Sequence, residues 1–198
     1  MTVEELLSEY ERCREFYKDG GITVTGGEPL MQTEFVTELF EAAKARGIHT
    51  CLDTSGVVFD PDDTERFERL AACTDLVLLD IKHIDSVLHR ELTGHDNSRI
   101  LEFARFLDRN SVPMWIRHVV VPDITTDERY LYRLGRFIGE LKSVKALDVL
   151  PYHVMGAAKY KALGIPYPLE GVPAAEKEVA ERAKKFILQG IRDQRTGK

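Results

Sequence analysis

The chain has 198 residues, 43% of them hydrophobic, and a formal net charge of −6 from 27 Lys+Arg against 33 Asp+Glu, a length that carries a sizeable core and a balance that excludes a nucleic-acid binder. No apolar run approaches the ~18–20 residues of a membrane helix, and the start, Met1-Thr2-Val3-Glu4-Glu5, has neither a basic nor an apolar leader, so a cytoplasmic protein without a membrane partner is expected. Cys13, Cys51 and Cys73 are odd in number and far apart, which suits a reducing compartment and not a disulfide framework.

Helical and strand patterns alternate along the chain, the signature of parallel β/α units in one domain over residues 1–198. Thr2 and Glu5 have capping-box spacing, and Leu6, Tyr10, Cys13 and Tyr17 follow as one helical stripe. The strand Ile22 to Thr25 leads through Gly26 and Gly27 into a helix with Phe35, Val36, Leu39, Phe40 and Ala43 inward and Gly47 past its end. A strand from Ile48 to Asp53 follows, and Asp60-Pro61-Asp62-Asp63 is expected to open the next helix, with its acids at the positive end of the dipole. Leu76 to Leu79 reads as a buried strand closed by Asp80-Ile81-Lys82, then a short helix through Val87 and Leu88. Asn97 or Ser98 caps a helix carrying Ile100, Phe103 and Leu107; Pro113 precedes the strand Met114 to Val121; and Thr125-Thr126-Asp127-Glu128 caps the next helix. Ala146 to Leu150 is the last strand, and a Pro/Gly-punctuated loop then leads to a terminal helix with Val179, Ala183, Phe186 and Ile187.

The strands share a chemical pattern at one end: Gly26-Gly27-Glu28, Asp53-Thr54-Ser55, Asp80-Ile81-Lys82, Pro151-Tyr152-His153, and Arg117-His118 within the fourth strand. In parallel β/α folds the C-terminal strand ends and the loops after them build the active site. Each group has an ordinary reading when taken singly, as an ion pair, a loop cap or a loop histidine, but five independent caps seldom place charge at one rim. Alternation puts Leu76, Leu78, Asp80 and Lys82 on one face of their strand and Arg117 with Trp115, opposite His118, so Arg117 is the favoured ligand contact. His49, His83, His89 and His95 have no ligand spacing and read as surface or helix-face residues, and the cysteines read as small core residues.

Thr25-Gly26-Gly27-Glu28-Pro29, Gly47 through Thr54, Asp75 through Lys82, Trp115-Ile116-Arg117 with Val119-Val120-Val121-Pro122, and Leu150-Pro151-Tyr152-His153 together resemble the glycyl-radical-enzyme activases of the radical S-adenosylmethionine superfamily. The resemblance implies a partial (β/α)6 TIM-type barrel, here with five parallel strands. It implies that Gly26, Gly27 and Glu28 contact the methionine end of S-adenosylmethionine, and that Asp80, Ile81, Lys82, Arg117 and His153 lie near its carboxylate, ribose and adenine. Asp53, Thr54 and Asp80 resemble a monovalent-cation site. A zwitterionic tail needs carboxylate or carbonyl oxygens for its ammonium and a cation for its carboxylate, which these residue types supply.

The family also carries Cys-x-x-x-Cys-x-x-Cys for a [4Fe–4S] cluster, and this sequence has no such segment. The resemblance therefore implies a fragment lacking the first strand and the cluster loop. The full-length enzyme would cleave S-adenosylmethionine to a 5′-deoxyadenosyl radical and form a glycyl radical on pyruvate formate-lyase or a related partner, drawing electrons from a flavodoxin-type donor. This chain alone is expected to be inactive. Half of a split activase, or a non-catalytic module binding a nucleoside or the partner, are the alternatives.

Overall fold

The computed structural model describes residues 1–18 and 20–198. In chain order the elements are α1 (Val3–Arg12), α2 (Arg14–Tyr17), β1 (Gly21–Val24), α3 (Thr33–Ala45), β2 (His49–Thr54), α4 (Glu65–Ala72), β3 (Leu76–Asp80), α5 (Ser86–Thr93), α6 (Ser98–Arg109), β4 (Met114–Val120), α7 (Glu128–Glu140), β5 (Val144–Pro151), α8 (Ala157–Leu163) and α9 (Lys177–Thr196). The five strands form one open parallel sheet in the order β1-β2-β3-β4-β5, which puts β1 at an edge. Strand order that follows chain order, with a helix in nearly every crossover, is the α/β layering expected from the alternating pattern.

Several local expectations are met in detail. Glu5 N–H donates to Thr2 Oγ1 while Thr2 N–H donates to Glu5, completing the capping box, and Gly47 takes φ 69° just past α3. Others shift. The first helix breaks at Cys13, whose φ of −109° and ψ of 5° leave the helical well, so Tyr17 lies beyond α1 and stacks back on Tyr10. Residues 60–63 form a turn with Asp62 N–H on Asp60 Oδ1, and α4 begins later, after Thr64. Asp96, not Asn97 or Ser98, accepts the Ser98 N–H, which frees Asn97 for a different task.

The chain divides into two compact units. Unit 1 comprises Met1–Asp80, Arg99–Trp115 and Ser143–Ala146. Its sheet register pairs Cys51 with Leu76 and Asp53 with Leu78, so one face of β2 and β3 buries Leu52, Val77 and Leu79 under the helices. Phe59 is at the centre of an aromatic cluster, with ring centroids of Phe67, Phe103 and Phe106 at 4.9, 5.2 and 5.1 Å. At the N-terminal strand ends Asp75 accepts from Lys44 Nζ at 2.5 Å and Thr50 N–H at 2.9 Å. Burial raises the Asp75 carboxyl's pKa, but the lysine and the amide outweigh it, so the net shift is downward. This rim is braced for stability.

Unit 2 comprises Ile81–Ser98, Ile116–Lys142 and Leu147–Lys198. Its helical layer rests on α7 against α9, whose facing stripes bury Leu131, Leu134 and Ile138 from one helix and Ala180, Ala183 and Ile187 from the other. Glycines make this approach close: Gly135 and Gly190 each lie on the other helix's backbone.

Candidate functional site

In unit 1 the turn after β1 is open. Gly26 has φ 153°, and among the described residues no atom beyond the chain neighbours lies within 4 Å of where a Cβ would stand on Gly26 or Gly27, so a ligand can reach their backbone groups. The Glu28 carboxylate that follows is engaged by the chain itself. It receives the Leu30 N–H at 3.0 Å and the Thr54 hydroxyl at 2.5 Å on one oxygen, and the Ser55 N–H at 3.0 Å and the Ser55 hydroxyl at 2.5 Å on the other. Thr54 and Ser55 therefore meet Glu28 across 26 and 27 residues of sequence. Asp53 and Asp80 are half-buried on the same face of adjacent strands, since Asp53 pairs with Leu78 and Asp80 follows two residues on. Ser55 was not singled out by the sequence, although a Thr-Ser-Gly run after a strand is a turn signal of the kind that finds such groups.

In unit 2 Ile81 joins two strands through its backbone: its N–H donates to Arg117 O at 3.0 Å, and its carbonyl accepts from His118 Nδ1 at 2.8 Å. Arg117 is half-buried and His118 fully buried on the opposite face, as alternation requires. Lys82 lines a cavity of about 540 Å³ with Glu91, Val119, Tyr152 and Tyr160. Tyr152 shares a 2.7 Å hydroxyl contact with Tyr167, which closes one wall, and burial pushes the Tyr167 phenol up to about 12. His153 is exposed beyond the end of β5.

The loop that presents Lys82 is held from behind by residues the sequence reading set aside. His83 and His89, expected as surface or helix-face residues, are each 2% exposed, as is His118. Asn97 Nδ2 donates to the carbonyls of His83 and Ile84 at 3.0 and 2.8 Å, Asp85 N–H donates to His83 Nδ1 at 3.0 Å, and His83 packs edge-on against Tyr130. Isolated histidines carry no sequence signal for this, because their burial is decided by what packs around them and, for His118, by the Ile81 carbonyl 37 residues away.

Burial lowers all three histidines, His118 to about 4 despite its bond to Ile81 O. At neutral pH they are uncharged, and the unfolded chain binds the extra protons as pH drops below the ordinary value of 6.5. Their contribution is full above about pH 6.5 and is lost towards pH 4, with His118 accounting for about 3 kcal/mol of stability across that window. Urea midpoints measured from pH 7 to pH 4 should fall steeply, and His118→Gln, which keeps a donor but no titration, should flatten the slope.

In unit 1 the open Gly26-Gly27 backbone suits a ligand's ammonium group; in unit 2 Lys82, lining its cavity, suits an anionic group. The cysteines do not suit an iron–sulfur cluster: Cys51 and Cys73 are buried in the core, and burial pushes the Cys73 thiol up to about 11. Among the described residues no three His, Cys, Asp or Glu side chains are placed to hold a metal ion, and no helix is long and apolar enough to cross a membrane.

Comparison with known proteins agrees with this layout. The family model described as the Radical SAM superfamily matches residues 1–134. The pyruvate formate-lyase-activating enzyme of Staphylococcus epidermidis is 46% identical over 191 residues, covering 94% of this chain and 76% of that protein. The enzyme of the same name from Streptococcus mutans is 46% identical over 189 residues, 94% of this chain and 72% of its own. A domain of pyruvate-formate lyase-activating enzyme from Bacteroides vulgatus shares the fold with a TM-score of 0.69 at 22% identity, over 86% of this chain and 94% of that one. Streptococcus suis SuiB bound to S-adenosylmethionine does so at 0.58 and 18% identity, over 96% of this chain and 40% of its own. The partial TIM-barrel fold that the resemblance implied is thus the fold of its structural neighbours, and S-adenosylmethionine and an iron–sulfur cluster are the cofactors that the family implies. The chain belongs to the pyruvate formate-lyase-activating enzymes, a family of the radical S-adenosylmethionine superfamily.

Proposed function

We propose that this chain is the S-adenosylmethionine-holding part of a glycyl-radical activase whose partner is pyruvate formate-lyase or a related glycyl-radical enzyme. The relatives' shared name supports the partner, and the polar strand ends support the ligand. One five-stranded sheet supports reading residues 1–198 as one domain. Within unit 1, Gly26, Gly27 and Glu28 form the turn that receives the methionine end, and Asp53, Thr54 and Asp80 offer oxygens to a monovalent cation. Within unit 2, Lys82 and Arg117 supply positive charge for the ligand's carboxylate, and Ile81 and His153 flank its nucleoside end. S-adenosylmethionine bound there would supply, on reductive cleavage, the radical that takes hydrogen from the partner's glycine. Cys13, Cys51 and Cys73 do not supply the cluster's ligands. A cytoplasmic setting and a flavodoxin-type electron donor complete the proposal.

The observation that carries this reading is that Lys82, just past the end of a parallel strand, lines a cavity. Each of Lys82→Ala and Arg117→Ala should weaken S-adenosylmethionine binding about tenfold, the size of one lost charge-assisted hydrogen bond. Lys184→Ala, on the exposed side of α9, should leave binding unchanged. Calorimetric titration of the three variants checks this, and equal loss at all three positions refutes the assignment.

A further inference from the structure

Four hydrogen bonds converge on Glu28, from Leu30 N–H, the Thr54 hydroxyl, Ser55 N–H and the Ser55 hydroxyl. A carboxylate offers about four lone-pair sites, so this one is filled by its own chain. The donors are themselves held: Thr54 Oγ1 accepts the Gly56 N–H at 2.9 Å. Gly56 in turn has φ 74° and stands where a Cβ would come within 2.8 Å of Phe103, so the Thr54-Ser55-Gly56 turn is set by the core beneath it.

The ligand-facing side of the same turn is the reverse case. Gly26 and Gly27 carry no side chains, and among the described residues nothing beyond the chain neighbours stands within 4 Å of their Cβ positions, so no wall of unit 1 orients them from that side. Two consecutive glycines have the widest conformational choice of any dipeptide, and an open pair costs the most to order. The nearest fixed point is the residue that follows them.

We infer that Glu28 is a latch and that Ser55 and Thr54 are positioning residues: they grip its carboxylate and thereby fix the Gly26-Gly27 backbone to which the ligand's charged amino-acid end binds. The inference rests on the proposed cofactor reading and deepens it, because it takes the Glu28 side chain out of ligand contact and assigns a role to Ser55. The chemistry suits the task. A charged acceptor holding two hydroxyls and two amides makes stronger bonds than neutral pairs, and bonds on both oxygens fix the carboxylate's rotation as well as its place. Preorganising the turn lowers the ordering cost of binding, which appears as affinity.

NMR on the full 198-residue chain tests the latch, with S-adenosylmethionine as the titrant. In the free chain Ser55→Ala should speed amide exchange at Leu30 at least tenfold and lower the order of Gly26 and Gly27, while core amides such as Leu52 stay protected. Ser55→Thr, which keeps the hydroxyl, should restore parent behaviour. On titration, Ser55→Ala should bind about tenfold more weakly than the parent, with the thermal midpoint changed little and Ser55→Thr again restoring affinity. A loosened turn that binds with parental affinity overturns the latch, as does a turn no looser in Ser55→Ala and Glu28→Gln. If S-adenosylmethionine moves no Gly26 or Gly27 resonance in the parent, the cofactor reading is the one that fails. Turn order in the free variants then decides the latch alone: loss sustains it, and no change overturns it.

Discussion

Gly135→Ala will destabilise unit 2 by about 3 kcal/mol, although in a helix interior the same change ordinarily stabilises by up to ~1 kcal/mol. The reversal comes from the close approach of α7 and α9. A Cβ on Gly135 would stand 2.1 Å from Ile187 O, and one on Gly190 would stand 2.3 Å from Tyr132 O. Both obstacles are backbone carbonyls, which cannot rotate aside as a side chain would. The helices must separate, and separation thins the apolar seam of Leu131, Leu134, Ala183 and Ile187 along their length. Gly190→Ala should cost a similar amount. The double variant should cost less than the sum, because one separation relieves both clashes. Urea denaturation of the three variants measures this, and unchanged or raised stability in Gly135→Ala would show that the helices do not pack as described.

Phe59→Ala will cost unit 1 about 3–5 kcal/mol, the usual range for removing a fully buried aromatic ring. Three rings, Phe67, Phe103 and Phe106, close on it at 4.9–5.2 Å, and they belong to two helices that cannot both collapse into the void. The loss should also reach the candidate site. Phe59 N–H donates to Gly56 O at 3.1 Å, and Gly56 directly follows the Thr54-Ser55 pair that grips Glu28. Phe59→Leu, which keeps most of the volume, should recover the greater part of the stability. Equal losses in the two variants would mean that the pocket is not filled by the ring.

How much of this was legible beforehand depended on the range of the interaction. The capping box at Thr2 and Glu5, the left-handed Gly47 and most of the α3 stripe are settled within a turn or two of chain and match the sequence reading, whereas α9 buries Ala180 and Gly190 beside the expected Ala183 and Ile187 and leaves Val179 and Phe186 half-buried. Asp60-Pro61 has every local mark of a helix start, yet α4 begins after Thr64. There the insertion of Phe59 among Phe67, Phe103 and Phe106 decides how the loop enters the helix, and a cap worth about 1 kcal/mol does not compete with a buried ring.

The sequence by itself determined the parallel α/β class, the family, the polar strand ends and, through strict alternation, the choice of Arg117 over His118 as the residue on the uncovered face. The class and the alternation follow from periodicity, and the family from the resemblance carried by the strand-end segments. Only the tertiary structure decided that Glu28 is gripped by Thr54 and Ser55, that His83, His89 and His118 are buried and neutral behind the Lys82 loop, and that Asn97 braces that loop instead of capping a helix. The Glu28, Asn97 and His118 pairings reach across some 13 to 37 residues to a backbone group or a hydroxyl, while His83 and His89 are buried by the packing around them. Any of many residues could supply such a partner, so the pairing leaves no pattern in the sequence and exists only once the strands are in register.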